Sequence, residues 1–261
     1  MPAIRTDNDC SIHYRLDGAS GGPTLVFSNS LGTDLHMWDE QVGHFAERFR
    51  ILRYDTRGHG RSGTPPGPYS IERLGRDVLN LLDALELDAV SWCGLSLGGM
   101  IGMWLGSYAP ARLQRMALCN TSAHMPPPEL WNRRIELARA GRMDEIVDGV
   151  IGLWFTPAFR ERAPAQVQRV RGQFLATRGE GYAGCCEGIR DMDQRESIRA
   201  ITVPVLVIAG ADDPATPPVH ARLIAERITG ARYVEIPQAA HLSNIEQPAR
   251  FDAALESFLA D

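Results

Sequence analysis

Three residues of this chain have types and spacing suited to nucleophilic catalysis. They are a serine between glycines, a late histidine, and an aspartate that closes a β-prone run. The serine is Ser96, in Ala89-Val-Ser-Trp-Cys-Gly-Leu-Ser-Leu-Gly-Gly-Met100. A short β-prone run leads into Gly94-x-Ser96-x-Gly98, and a helix-compatible stretch follows. That is the layout of a nucleophile elbow, a sharp strand-to-helix turn that holds one hydroxyl out at the top of a sheet. The glycines suit it because the turn is too tight for side chains beside the serine, and its backbone is strained. Alone, the motif also describes a glycine-rich turn with an incidental serine, so its partners decide its meaning.

A serine hydroxyl becomes a nucleophile when a base takes its proton and a third group orients that base. One order for such a set along a chain is serine, acid, histidine. His241, in Gln238-Ala-Ala-His-Leu-Ser-Asn-Ile-Glu-Gln-Pro248, fits that order. It falls between the last expected strand and the last expected helix, at the same sheet edge as the elbow. His59 and His220 are its rivals, and position favours His241. The acid is expected after a strand at that edge, in Ile208-Ala-Gly-Ala-Asp-Asp-Pro-Ala-Thr-Pro217. Asp212 and Asp213 both qualify there, and each has a plainer reading as a turn or helix-capping aspartate. The other place for an acid, Cys119-Asn120-Thr121, offers no carboxylate. Acyl transfer also needs donors for the developing oxyanion. One is expected at the N–H of Leu97 and a second at the N–H of Leu31, in Asn29-Ser-Leu-Gly-Thr33.

The elements that must carry these residues alternate. Strands are expected at Ser11–Leu16, Thr24–Ser28, Ile51–Tyr54, Ala89 to the elbow and Arg115–Cys119. Helices are expected at Trp38–Phe49, at Ser70–Glu86 with Ser70 at its start, and from the elbow to Tyr108. After Pro126-Pro-Pro128 the chain reads as four helices with no convincing strand: Glu129–Ala140, Met143–Leu153, Ala165–Thr177 and Tyr182–Met192. Alternation resumes with Val203–Ala209, Pro217–Ile228, Ala231–Ile236 and Pro248–Leu259. This pattern predicts an α/β protein with a mostly parallel sheet covered by helices on both faces. The all-helical interruption is expected to form a lid over the strand C-terminal ends, where ligands bind in open α/β sheets. The expected division is residues 1–121 and 200–261 for the core and 122–199 for the lid.

Composition narrows the chemistry. The 261 residues suit one large α/β domain, or a domain with an insertion. A net charge of -5 argues against a nucleic-acid partner. There is no lysine, so all 27 basic residues are arginine. That excludes a Schiff-base lysine, a pyridoxal-phosphate lysine and a P-loop lysine. Cysteines 10, 93, 119, 185 and 186 are odd in number and two are adjacent, which predicts a reducing compartment and a cytoplasmic location. The absence of C-x-x-C and H-E-x-x-H patterns predicts no dedicated metal site. The first residues have no signal-peptide apolar core, and the greasiest stretch, Trp92–Tyr108, reads as a buried strand and helix, so no membrane partner is expected.

Together the segments resemble the α/β-hydrolase superfamily over essentially the whole chain. Asp55-x-Arg-Gly-His-Gly-x-Ser62, the elbow, Gly210-x-x-Asp213-x-x-x-Pro217 and Ala240-His-x-x-x-x-Glu246-x-Pro248 match its signatures in order. The third of these favours Asp213 over Asp212. A narrower likeness is to 3-oxoadipate enol-lactonases. It rests on Ser28-Asn-Ser-Leu-Gly-Thr-Asp34, Leu52–Gly60, Cys93-Gly-Leu-Ser96, Leu118-Cys-Asn-Thr121, Trp131-Asn with Arg134, Trp154-Phe-Thr-Pro157 and Ala240-His-Leu-Ser-Asn244. The chain departs from many relatives in having Asn29-Ser30 where they have His-Gly.

The resemblance implies hydrolysis of a small anionic enol-lactone to 3-oxoadipate in aromatic-compound catabolism. It implies a Ser96–His241–Asp213 triad, an acyl-enzyme and no cofactor. The acetate arm of such a substrate calls for a cation in the lid, and Arg134 and Arg190 are the candidates, with Trp131 and Trp154 walling the pocket. The same triad would serve a general carboxylesterase or a cofactor-free haloperoxidase or perhydrolase. A non-catalytic ligand receptor is the remaining alternative, since fold alone does not set function.

Overall fold

Runs of apolar residues buried on both faces set the architecture. In a computed structural model, which describes residues 2–260, every residue of Thr24–Ser28, Val90–Leu95 and Val205–Gly210 is buried. Such continuous apolar runs belong to the middle of a parallel sheet covered on both sides. The strands are β1 (Ala3–Arg5), β2 (Ser11–Gly18), β3 (Thr24–Ser28), β4 (Arg50–Tyr54), β5 (Val90–Leu95), β6 (Leu113–Cys119), β7 (Val205–Gly210) and β8 (Arg232–Ile236). They form one sheet in the order β1-β2-β4-β3-β5-β6-β7-β8. β1 and β2 are antiparallel additions at one edge, and β4 through β8 with β3 run parallel.

The order reverses direction at β3. From β3 the chain steps one way to β4, then returns past β3 to β5 and continues through β8. Right-handed crossovers therefore put the first connecting helix on one face and the later ones on the other. The first is α1 (Asp39–Phe45); the later ones begin with α2 (Ile71–Ala84) and α3 (Leu97–Tyr108). Ser70 caps α2, its hydroxyl accepting from Arg73 N at 3.0 Å. The reversal beside β3 and β5 opens a crevice at the strand C-terminal ends, the usual ligand position in such sheets.

Between β6 and β7 lies the inserted helical region: α4 (Pro128–Arg139), α5 (Asp144–Trp154), α6 (Pro157–Arg162), α7 (Pro164–Ala176) and α8 (Gly179–Asp191). α9 (Pro218–Arg227), α10 (Ser243–Glu246) and α11 (Pro248–Ala260) complete the chain. β1 and α10, three and four residues long, are too short for a sequence signal, and two further details differ from the sequence expectation. The helix expected at Trp38–Phe49 is a 3₁₀ turn at Leu35–Trp38, capped by the Asp34 carboxylate, followed by the shorter α1. α6 was not expected; it is one and a half turns long, too short for a periodic signal, and starts on the Thr156 hydroxyl and Pro157.

Candidate active site

Ser96 joins β5 to α3 in a conformation foreign to most side chains, with φ 56° and ψ −113°. The neighbouring glycines are demanded by packing. A Cβ on Gly94 would stand 2.1 Å from the Gly98 carbonyl oxygen, and one on Gly98 would stand 2.2 Å from the Ser28 carbonyl oxygen of β3. The elbow is tied down around the serine. Ser96 N donates to Cys119 O at 2.9 Å, and the Ser96 carbonyl accepts from the Thr121 hydroxyl at 2.7 Å. Over-determined surroundings of this kind are what hold a strained residue in place.

His241 follows β8. Its Nδ1 lies 2.9 Å from Asp213 Oδ2, and both groups are buried. Asp213, in the loop after β7, is densely bonded. Its Oδ1 accepts from the N–H groups of Ala215 at 2.8 Å and Thr216 at 3.0 Å. Its Oδ2 accepts from Asn120 Nδ2 at 2.9 Å and the Thr216 hydroxyl at 2.8 Å. Burial by itself pushes this carboxyl up, but the imidazole beside it and these hydrogen bonds outweigh burial and hold it below the ordinary value. Of the two aspartates, Asp213 meets His241, while Asp212 is exposed. Bonding through Nδ1–H to the carboxylate leaves Nε2 as the basic nitrogen.

Ser96 and His241 line one cavity of about 340 Å³, together with Leu31, Trp131, Arg134 and Trp154. Neither His59 nor His220 lines it. Among the described residues no protein acceptor takes the N–H of Leu31 or of Leu97, and both residues are buried. Free N–H donors beside a nucleophilic serine are what an oxyanion site requires. A larger cleft of about 1020 Å³ runs along α2 and the Pro65–Tyr69 segment, but none of these residues lines it.

α4, α5 and α8 supply the inserted region's side of the cavity wall. Trp131 and Arg134 are one helical turn apart, and the guanidinium carbon lies 5.2 Å from the Trp131 ring centroid. Trp131 is itself fixed by its indole N–H, which donates to Met125 O at 2.9 Å. No carboxylate of the described residues pairs with Arg134. Arg190 is a correction to the sequence expectation. Its guanidinium is paired with Asp191 at 2.7 Å and bonded to Asn132 at 3.0 Å, and it does not reach the cavity. Tyr182 and Ile189, seven residues apart on α8, face the cavity, and a helix turns the next residue about 100° away.

Several partners escaped sequence reasoning. Asn120 was weighed only as a missing carboxylate. It instead donates to Asp213, and its side-chain oxygen accepts from Ser243 Oγ at 2.6 Å. Its φ of +43°, a conformation for which asparagine is enriched, is the one local signal. Thr216, which bonds Asp213, carried none; Glu246, named in the sequence only as a signature position, accepts from Ala240 N at 2.9 Å beside His241.

Doubly wound sheet, elbow, inserted helices and histidine loop define an α/β-hydrolase. The family model described as the alpha/beta hydrolase fold matches residues 23–248, and the chain belongs to that family. Within it the chain is closely related to 3-oxoadipate enol-lactonases. It is 39% identical to 3-oxoadipate enol-lactonase 2 of Acinetobacter baylyi, over 97% of this chain and 95% of that protein. The crystal structure of the enol-lactonase from Burkholderia xenovorans LB400 superposes with a TM-score of 0.97 at 44% identity, covering 100% of both chains. A hydrolase from Pseudomonas aeruginosa PA01 superposes with a TM-score of 0.96 at 48% identity, covering 100% of this chain and 98% of the other. This kinship supports ester hydrolysis as the chemistry of the site. No helix among the described residues is long and apolar enough to cross a membrane.

Proposed function

We propose that this protein hydrolyses 3-oxoadipate enol-lactone to 3-oxoadipate, with Ser96, His241 and Asp213 as its triad. The observation that carries the substrate is Arg134. A half-buried guanidinium without a carboxylate partner, in the wall of the cavity that holds Ser96 and His241, suits a small ester with an anionic arm. The names of the related enol-lactonases point the same way.

Ser96 Oγ attacks the lactone carbonyl while His241 Nε2 takes its proton. Asp213 holds the imidazole tautomer and stabilises the imidazolium. The Leu31 and Leu97 N–H groups receive the oxyanion. The ring C–O bond then breaks, and the enolate oxygen leaves while still tethered to the acyl-enzyme. Proton return from His241 and ketonisation remove the path to ring closure. Water, deprotonated by His241, attacks the acyl carbonyl and releases the dicarboxylate product with the serine restored.

Turnover of synthetic enol-lactone, followed by loss of its ultraviolet absorbance, tests this reading beside p-nitrophenyl acetate. The lactone is expected to be the better substrate, and Ser96→Ala to abolish both activities. Preference for the neutral ester would make the protein a general carboxylesterase. Activity surviving in Ser96→Ala would remove the triad.

A further inference from the structure

The Asp55-Thr-Arg-Gly-His-Gly60 segment takes no direct part in the chemistry above, yet the fold wedges it against the oxyanion loop. His59 is almost wholly buried. Its Nε2 lies 2.9 Å from Gly32 N, and a backbone N–H can only donate, so Nε2 accepts. Its Nδ1 lies 3.2 Å from the Arg57 carbonyl, which can only accept, so Nδ1 carries the proton. The two bonds together require a neutral ring in one tautomer.

The segment is pinned on both sides. Gly58, at φ +82°, lies so close to α8 that a Cβ would stand 2.4 Å from Gly181 Cα. Gly60 packs on the Asp55 carboxyl group, which accepts from Leu35 N and Arg61 N, each at 2.9 Å. Gly32, at φ +79°, sits beneath Phe174 of α7, where a Cβ would approach the ring to 2.6 Å. Elsewhere the oxyanion loop is held at Asn29, which bonds Tyr54 O and the Trp38 indole, and at Ser30 O, which accepts from Thr33. The Leu31–Gly32 peptide has His59 as its anchor.

We propose that His59 is a positioning residue for the oxyanion hole: by accepting the Gly32 N–H it fixes the peptide next to Leu31 and thereby aims the Leu31 N–H into the cavity. The inference rests on Leu31 N–H being an oxyanion donor. His59 does not line the cavity, so it acts through the loop and not on substrate. Burial pushes its pKa down to about 4, which keeps Nε2 an acceptor at neutral pH.

The test uses p-nitrophenyl acetate, because every ester develops an oxyanion whatever the natural substrate. His59→Gln places an amide oxygen near Nε2, whereas His59→Leu fills the space without an acceptor. His59→Leu is expected to lower kcat roughly 10- to 100-fold with KM within about threefold of wild type, as for a slightly misplaced donor. It is also expected to weaken a boronic acid that mimics the tetrahedral intermediate. His59→Gln is expected to restore both to within about threefold of wild type. Wild-type kcat in His59→Leu, or equal damage in both variants, would overturn the proposal. Independently of any variant, nitrogen-15 spectra of the wild-type imidazoles are expected to show His59 neutral with the proton on Nδ1; the Nε2–H tautomer would overturn it as well. Ser96→Ala keeps the two readings apart. If it is inactive while His59→Leu is unimpaired, only the role of His59 falls; if it stays active, the triad falls and the oxyanion argument with it.

Discussion

Replacing Arg134 by methionine separates recognition of charge from catalysis. The methionine stem keeps an apolar contact on the Trp131 ring and deletes the cation. At ~4 Å an ion pair is worth about 4 kcal/mol at an effective dielectric constant near 20, and about 1 kcal/mol in bulk water. Arg134 is half-buried, between those limits. Desolvation of guanidinium and carboxylate takes back part of the gain. A net loss of about 1.5–2 kcal/mol remains, or roughly 10- to 30-fold in affinity. Trp131 orients the guanidinium before substrate arrives, so little ordering entropy offsets this. The assay is steady-state kinetics on the enol-lactone and on p-nitrophenyl acetate, read as the ratio of their kcat/KM values. Arg134→Met is expected to lower that ratio 10- to 30-fold by weakening the lactone alone, on the same estimate. An unchanged lactone KM, or equal losses on both esters, would refute the assignment of Arg134 to a carboxylate.

Further outcomes are expected. Asp213→Asn should lower kcat by about 10⁴, because an amide no longer fixes the imidazole tautomer. The Asp213 carboxyl is held below its ordinary 3.8, so its share of stability is present above that pH and is lost as pH falls through the lower folded value. Urea midpoints of wild type should therefore fall more steeply than those of Asp213→Asn as pH is taken below the ordinary 3.8; parallel curves would uncouple Asp213 from stability. Gly98→Ala drives a methyl to 2.2 Å from the β3 backbone, and is expected to cost about 1–3 kcal/mol and most esterase activity. Gly149→Ala, in α5 with nothing within 4 Å of the added carbon, should raise stability by about 0.5–1 kcal/mol, measured by thermal melts. Asn120→Ala removes donors to Asp213 and the Ala240 carbonyl and strains a φ of +43°; its Tm should drop by roughly 4–8 °C. Asn120→Gly loses the same bonds without the strain and should drop less.

Much of the site was legible because its constraints are local. The elbow is written in Gly94 and Gly98, where backbone approaches backbone and no side chain fits. The helix start at Ser70 is a single side chain reaching three residues ahead. Strands β3, β5 and β7 announce themselves by unbroken apolar runs. The outcome at Arg190 was not legible. Arg134 and Arg190 are equal as residue types, and only the rotation of α8 about its axis, with Asn132 and Asp191 at hand, turned one outward.

Sequence by itself determined the alternating α/β order, the strained turn at Ser96 and the late histidine. Each depends on neighbours within a few residues or on the period of apolar side chains. Tertiary structure alone decided which partners meet: Asn120 with Asp213 and Ser243, and His59 with Gly32. Those bonds join residues 27 to 123 positions apart in the chain. Their existence follows from strand order and helix rotation, which no local window of sequence contains.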